Sequence, residues 1–201
     1  MSAVSAVILA AGESRRMGQP KQMLLVDGQP MLALVVRTVL AAGLDDVVVV
    51  LGAAAAEVQQ ALAGLPVRTV INDAWREGMA SSLRAGLALV SPAAEAVLFV
   101  PADLPRLTAQ AITAVIDCFA STGKPIVIPT SQGCRGNPVL FARRLFPELL
   151  AVQGDQGGRS LFASHQQEIA LVEVGDKGIV VDVDTPEQYQ SALTDKIPPV
   201  R

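Results

Sequence analysis

The sequence predicts an α/β domain in three layers, with a mostly parallel sheet between two sets of helices. Three observations carry this. Short, continuous apolar runs recur at 6–11, 47–51 and 96–100, a further strand is read at 67–71, and helical stretches lie between them. Hydrophobic residues make up 51% of the chain but aromatics only 3%, so the core must be built from Val, Leu, Ile and Ala. That is the composition of strands buried on both faces. A length of 201 residues suits one domain with a full core.

The first run, 6–11, breaks at Gly12, where a chain can turn tightly or let a ligand approach its backbone. Ser14, Arg15, Arg16, Gly18 and Lys21 follow. A strand ending in a glycine turn followed by cations suits a polyphosphate. Backbone N–H groups can form an anion nest, and Arg and Lys neutralise the oxygens. Neither common phosphate loop matches. Gln19, not Lys, follows Gly18, which excludes the P-loop pattern, and Gly12 to Gly18 lacks the dinucleotide spacing.

Residues 24–28 read as a short extended piece and a turn. Pro30 opens a helix that stops at Gly43. Residues 54–62 are expected as helix. Asn72 closes the third strand, and a helix begins near Met79, with Ser81 and Ser82 as candidate N-caps or nucleotide contacts. Trp75, the single tryptophan, is expected as a partly buried packing residue. Asp103 lies in P-A-D-L-P just beyond the strand at 96–100, on the sheet edge where ligands collect in open α/β folds. An Asp there is well placed to carry a divalent cation for a triphosphate.

Thr108 caps a helix running to about residue 120, and a strand follows at 125–129. The regular alternation then weakens. Residues 133–141 read as a turn into a strand, and 154–159 as a glycine-rich loop into a short helix. Strands are expected at 169–174 and 179–183, and Thr185 as the N-cap of a last helix starting at Pro186. Asp182 and Asp184 alternate with valines, so an extended chain points both to one side.

Composition also excludes functions. A net charge of −3 gives no basic excess for nucleic acid or an anionic membrane, so an anion site must be local. No apolar run reaches membrane-spanning length, and no signal peptide is visible, so a cytoplasmic location is expected. Cys118 and Cys134 form neither a metal motif nor a disulfide framework, which fits thiols in a reducing cytosol. His165, the single histidine, lies in a polar H-Q-Q run and is expected at the solvated surface. A Ser/His/Asp or zinc mechanism therefore has no support.

Residues 9–21, L-A-A-G-E-S-R-R-M-G-Q-P-K, resemble the signature loop of the nucleotidyltransferases that make activated cofactors and sugars. The likeness is greatest to the molybdenum cofactor cytidylyltransferase branch and extends from residue 4 to about residue 189. It implies a single-domain, Rossmann-like nucleotidyltransferase fold over 1–193, with a nucleotide-binding half at about 1–105 and an acceptor half at about 106–193. Residues 194–201 would be a flexible tail. The implied reaction moves CMP from CTP to the terminal phosphate of a molybdopterin-type cofactor, with Mg2+, and releases pyrophosphate. A molybdenum hydroxylase would be the client.

The resemblance also implies roles. Leu9, Ala10, Ala11, Gly12 and Ser14 would hold the nucleotide, with Arg16 on the outer phosphates and Lys21 on the α-phosphate. Asn72, Gly78 and Ser82 would hold base and ribose, and Asp103 and Asp184 the metal, with Asp182 competing for the second position. Gly136, Asn137 and Pro138, then Gly154, Asp155, Gly157 and Arg159, would face the acceptor. Asn137 and Gly158 depart from the family's G-H-P-V-L-F and G-D-x-G-A-R patterns. Asn137 still offers hydrogen bonds but cannot titrate near neutral pH. Ala10-Ala11, in place of Ala-Gly, resembles the cytidylyl branch more than the guanylyl branch. The same form occurs in cytidylyltransferases acting on sugar alcohols. A GTP donor, a sugar or polyol phosphate acceptor, and a non-catalytic cofactor-delivery protein thus remain open. An NAD-dependent oxidoreductase is weakened by the missing fingerprint.

Overall fold

The computed structural model describes residues 3–194. In chain order its strands and helices are β1 (Val4–Ala10), β2 (Leu25–Val26), β3 (Gln29–Pro30), α1 (Met31–Ala41), β4 (Val47–Leu51), α2 (Ala55–Val58), β5 (Arg68–Ile71), α3 (Met79–Leu87), β6 (Ala96–Pro101), α4 (Ala109–Thr122), β7 (Ile126–Ser131), β8 (Cys134–Arg135), β9 (Val139–Ala142), α5 (Phe146–Ala151), β10 (Ile169–Glu173) and α6 (Pro186–Leu193). All of the expected tail except Thr194 lies outside the described residues.

The main sheet runs β10-β7-β9-β6-β1-β4-β5, with β8 paired to β7. The strands from β6 to β5 are mutually parallel, as are β7 and β10. β9 is antiparallel to both of its neighbours and joins the two parallel blocks. That reversal is where the alternation of strand and helix faded in the sequence. β4, V-V-V-V-L, is at most 1% exposed at every position, as expected of a strand covered on both faces.

Two apolar layers flank the sheet. Ala6, Ile8 and Ala10 of β1 pack with α1, α2 and α4. Val7 packs on the other side with α3 and α5. A Cβ at Gly86 would run into the Val7 side chain, so this glycine lets α3 lie close on β1. A third, smaller cluster joins α6 to Leu24, Met31 and Val183. It brings α6 beside the β2–β3 ribbon, where the Tyr189 hydroxyl donates to the Leu25 carbonyl at 2.7 Å.

Several boundaries differ from expectation. Residues 55–62 are one short helical turn followed by a 3-10 turn, Gln59–Leu62. The strand expected at 179–183 does not form. Instead a 3-10 turn, Lys177–Ile179, leads into an irregular strap. The Asp176 carboxylate caps this turn on the Gly178 N–H at 2.7 Å. A Cβ at Gly178 would run into the Arg106 carbonyl, so the strap presses on the segment after β6. The Ile179 carbonyl accepts from Asn137 N at 2.8 Å, and Val183 N donates to the Asp103 carbonyl at 3.0 Å. These contacts satisfy the backbone without a ladder. The apolar residues at 181 and 183 are buried regardless, which is why the alternation imitated a strand. Thr185 does cap α6, in a complete capping box with Gln188.

Candidate active site

The loop after β1 is shaped by two left-handed residues, Ser14 (φ 57°) and Gly18 (φ 66°). Gly12 does not make that turn. A Cβ there would meet nothing within 4 Å, so the glycine leaves open space. Short 3-10 turns carry Arg15–Met17 and Lys21–Met23. Lys21 N donates to the Ser14 hydroxyl at 3.1 Å, closing the loop.

The Lys21 side chain is 15% exposed and reaches the carboxyl edge of the sheet. Its ammonium donates to Asp103 Oδ2 and to Asp184 Oδ1, each at 2.6 Å. Arg16 donates to the other oxygen of Asp184 at 2.8 Å, from a largely exposed position. Burial by itself would lower the Lys21 pKa, but Asp103 and Asp184 outweigh it and raise it above the ordinary lysine value. Among the described residues Arg15 pairs with Glu13, at the surface.

Asp103 follows β6 directly, and Asp182 and Asp184 arrive on the strap. Gln188 Oε1 accepts from Asp184 N at 2.8 Å and Thr185 N at 2.9 Å, which fixes the end of the strap. One oxygen from each of the three carboxylates lies within 4.8 Å of the others. The alternation thus brings Asp182 and Asp184 to one site although no strand forms. Burial, then the neighbouring Asp103 and Asp184, raise the Asp182 pKa. Asp184 resists burial and stays below the ordinary value because Lys21 and Arg16 bond to it. Asp103 Oδ1 is buried and has no hydrogen-bond partner among the described residues. A buried, unpaired carboxylate oxygen beside two more carboxylates fits a hard divalent cation with oxygen ligands. Asp103, Asp182 and Asp184 are the residues that could hold it.

These groups open into a cavity of about 640 Å3. From the expected nucleotide set it is lined by Leu9, Ala11, Gly12, Lys21, Gly78, Ser82 and Asp103, and from the acceptor set by Gly136, Asn137, Asp155 and Arg159. Asp184 lines it too. Ala10, Ser14, Arg16, Asn72, Pro138, Gly154 and Gly157 are not among the lining residues. Of these, Ser14 supports the loop from behind and Arg16 stands at its exposed rim.

Asn72, expected to help hold base and ribose, is a buried residue, 6% exposed, and its amide is hydrogen-bonded within the protein. Nδ2 donates to the hydroxyls of Ser81 at 2.8 Å and Ser82 at 3.0 Å, and Oδ1 accepts from Ala74 N at 3.1 Å. Asn72 thereby orients Ser82, which does reach the cavity. Neither serine caps the helix, because α3 starts earlier, after Gly78. Its first N–H groups are taken by the glycine-rich loop. Met79 N donates to Asp155 Oδ1 at 3.1 Å, and Ala80 N to the Gly154 carbonyl at 3.0 Å. The G-D-Q-G-G-R segment therefore clasps the start of α3, which follows Gly78 and carries Ser82.

Sequence reasoning missed Gln22, Met79, Arg135 and Phe162 as lining residues. Only Arg135 carried a signal, a cation in the turn at 133–136. His165 also departs from expectation. Its side chain is 14% exposed, and the ring sits between Glu148 (2.8 Å) and Glu168 (2.5 Å), away from the cavity. It is a buttress between α5 and the turn at Gln166–Glu168.

Comparisons with known proteins give the family and agree with the fold. The model of the MobA-like NTP transferase domain matches residues 6–169. The purine catabolism protein PucB of Bacillus subtilis is 31% identical, over 91% of this chain and 92% of its own. Nicotine blue oxidoreductase of Paenarthrobacter nicotinovorans is 30% identical, over 94% and 96%. The molybdenum cofactor cytidylyltransferase of Escherichia coli is 25% identical, over 96% of each chain. Rv0371c of Mycobacterium tuberculosis, solved in complex with manganese, superposes with a TM-score of 0.82 at 29% identity, over 96% of this chain and 99% of that one. The chain belongs to the family of MobA-like NTP transferase domains and is a nucleotidyltransferase by family.

Proposed function

We propose that this protein is a Mg2+-dependent cytidylyltransferase that moves CMP from CTP to the terminal phosphate of a molybdopterin-type cofactor and releases pyrophosphate. The observation that carries this is the Lys21 ammonium between Asp103 and Asp184 at the mouth of the glycine loop. A likeness to the E. coli cytidylyltransferase over nearly the whole chain supports the acceptor class.

An acceptor phosphate monoester has a second pKa near about 6, so it attacks as a dianion without a general base. His165, which does not line the cavity, is not needed. What the site must do is bring two anions together and stabilise charge at the α-phosphorus and the leaving group. The N–H groups of the loop at Gly12 to Ser14 cradle the phosphates. Arg16, at the rim, takes the β- and γ-phosphates. Lys21 leaves its carboxylates for the α-phosphate as charge develops there. Gly78 and Ser82 contact base and ribose. Gly136, Asn137, Asp155 and Arg159 lie across the cavity on the acceptor side. A divalent cation held by Asp103 and Asp184, with Asp182 adjoining, would supply Lewis-acid charge and a template for the phosphates.

Pyrophosphate release from CTP and from GTP, each with and without molybdopterin-type cofactor, tests the proposal. Acceptor-dependent release from CTP is expected. Release from GTP alone would move the protein to the guanylyl branch. The 30% identity to nicotine blue oxidoreductase favours one other reading, an oxidoreductase working at the same cavity. Consumption of a nicotinamide cofactor without pyrophosphate release would favour it.

A further inference from the structure

We infer that Gln22 is a positioning residue, whose buried amide sets the shape of the phosphate loop and locks the Lys21 turn against it. The inference deepens the nucleotidyl-transfer reading and rests on it. Gln22 is 2% exposed, and polar side chains seldom stand so deep without a task. Its Nε2 donates to the carbonyls of Ala10 and Gly12, each at 3.0 Å. Both amide hydrogens are thereby used, on two carbonyls of the glycine loop. Its Oε1 accepts from the Ser14 hydroxyl at 3.4 Å, and the same hydroxyl accepts from Lys21 N.

The consequence follows from peptide geometry. In a planar trans peptide the N–H points opposite to the carbonyl. With the Gly12 carbonyl turned in to Gln22, the N–H of Glu13 points away from it. The Ala11 carbonyl is held by Ala53 N at 3.1 Å, which turns the Gly12 N–H away from that side in the same manner. Among the described residues, no hydrogen bond uses the N–H groups of Gly12, Glu13 or Ser14. The loop's carbonyls are thus engaged with the protein while its donors are left for an anion. Because Gln22 adjoins Lys21 on one 3-10 turn, the same bonds fix the start of the lysine side chain.

Gln22→Glu keeps the shape and replaces the donor with an acceptor facing two carbonyls. Gln22→Met keeps the length and removes the hydrogen bonds, and covers the case in which Gln22→Glu does not fold. Calorimetric affinities for CTP and CMP, and for GTP and GMP, are compared in each folded variant. The expected result is at least about a tenfold loss of triphosphate affinity with less than about a threefold loss for the monophosphate. An unchanged ratio of triphosphate to monophosphate affinity, even with a lower melting point, would reduce Gln22 to a core residue and overturn the inference. Failure of the wild-type protein to bind either triphosphate would overturn the nucleotidyl-transfer reading itself, and this inference with it.

Discussion

The ammonium of Lys21 stands 2.6 Å from Asp103, a residue 82 positions further along the chain. One lysine thus neutralises part of a three-carboxylate cluster and closes the glycine loop after β1.

Lys21→Met should abolish most turnover, by about 100-fold or more, as loss of a transition-state cation does. It should also leave Asp103, Asp182 and Asp184 repelling one another. In chelator its melting point should fall below that of the wild-type protein, and Mg2+ or Mn2+ should recover the difference. Asp103→Ala should lose turnover equally while keeping its circular dichroism spectrum. Near-wild-type rates in either variant would remove that residue from the chemistry.

The clasp between Gly154–Asp155 and α3 gives a second expectation. Asp155→Ala removes a helix cap, which costs about 1 kcal/mol and about 2–4 °C in a domain of this size. Gly78→Ala should cost more, because Gly78 has φ 102° and a Cβ there would come 2.7 Å from the Gly154 carbonyl. It should also weaken nucleotide binding, since Gly78 lines the cavity. Thermal melts and CTP titrations check both. A fully tolerated Gly78→Ala would show that the clasp is loose.

His165 is the single histidine of the chain, so its midpoint can be read directly by NMR. Its bonds to Glu148 and Glu168 outweigh burial and raise its pKa above the ordinary imidazole value. The Arg144 guanidinium beside Glu168 belongs to the same group of charges. The folded protein holds the proton more tightly than the unfolded chain. This stability is therefore complete below the unfolded-state pKa and is lost as pH rises through the folded one. The stability gap between wild type and His165→Gln should be widest in mild acid and close above neutrality. A midpoint at or below the ordinary value would contradict the buttress.

The glycine loop after β1 was legible as a loop because its determinants are local. Gly12 to Lys21 keep their spacing wherever the chain goes, and the preceding apolar run fixed the loop to a strand end. Asp103 was legible by position alone, since β6 had to end at the edge where β1 ends. The strap at 179–185 was not legible as such. Its buried valines alternate as in a strand, and only the contacts of Gly178 and Ile179 with distant segments forbid a ladder. The contacts of Asn72 were not legible, because nothing in the sequence shows that the hydroxyls of Ser81 and Ser82 accept from its amide. Gln22 gave no signal. A glutamine between a lysine and a methionine reads as surface, and only the folded loop reveals the two carbonyls it serves.

The central claim is tested most directly with CTP labelled at the α-phosphate, molybdopterin-type cofactor and a divalent cation. The label should move to the cofactor as a dinucleotide, with one pyrophosphate released per transfer, and Lys21→Met should not support it. Label that stays in CTP while the wild-type protein binds both substrates, or that appears only as free CMP, would contradict nucleotidyl transfer to this acceptor.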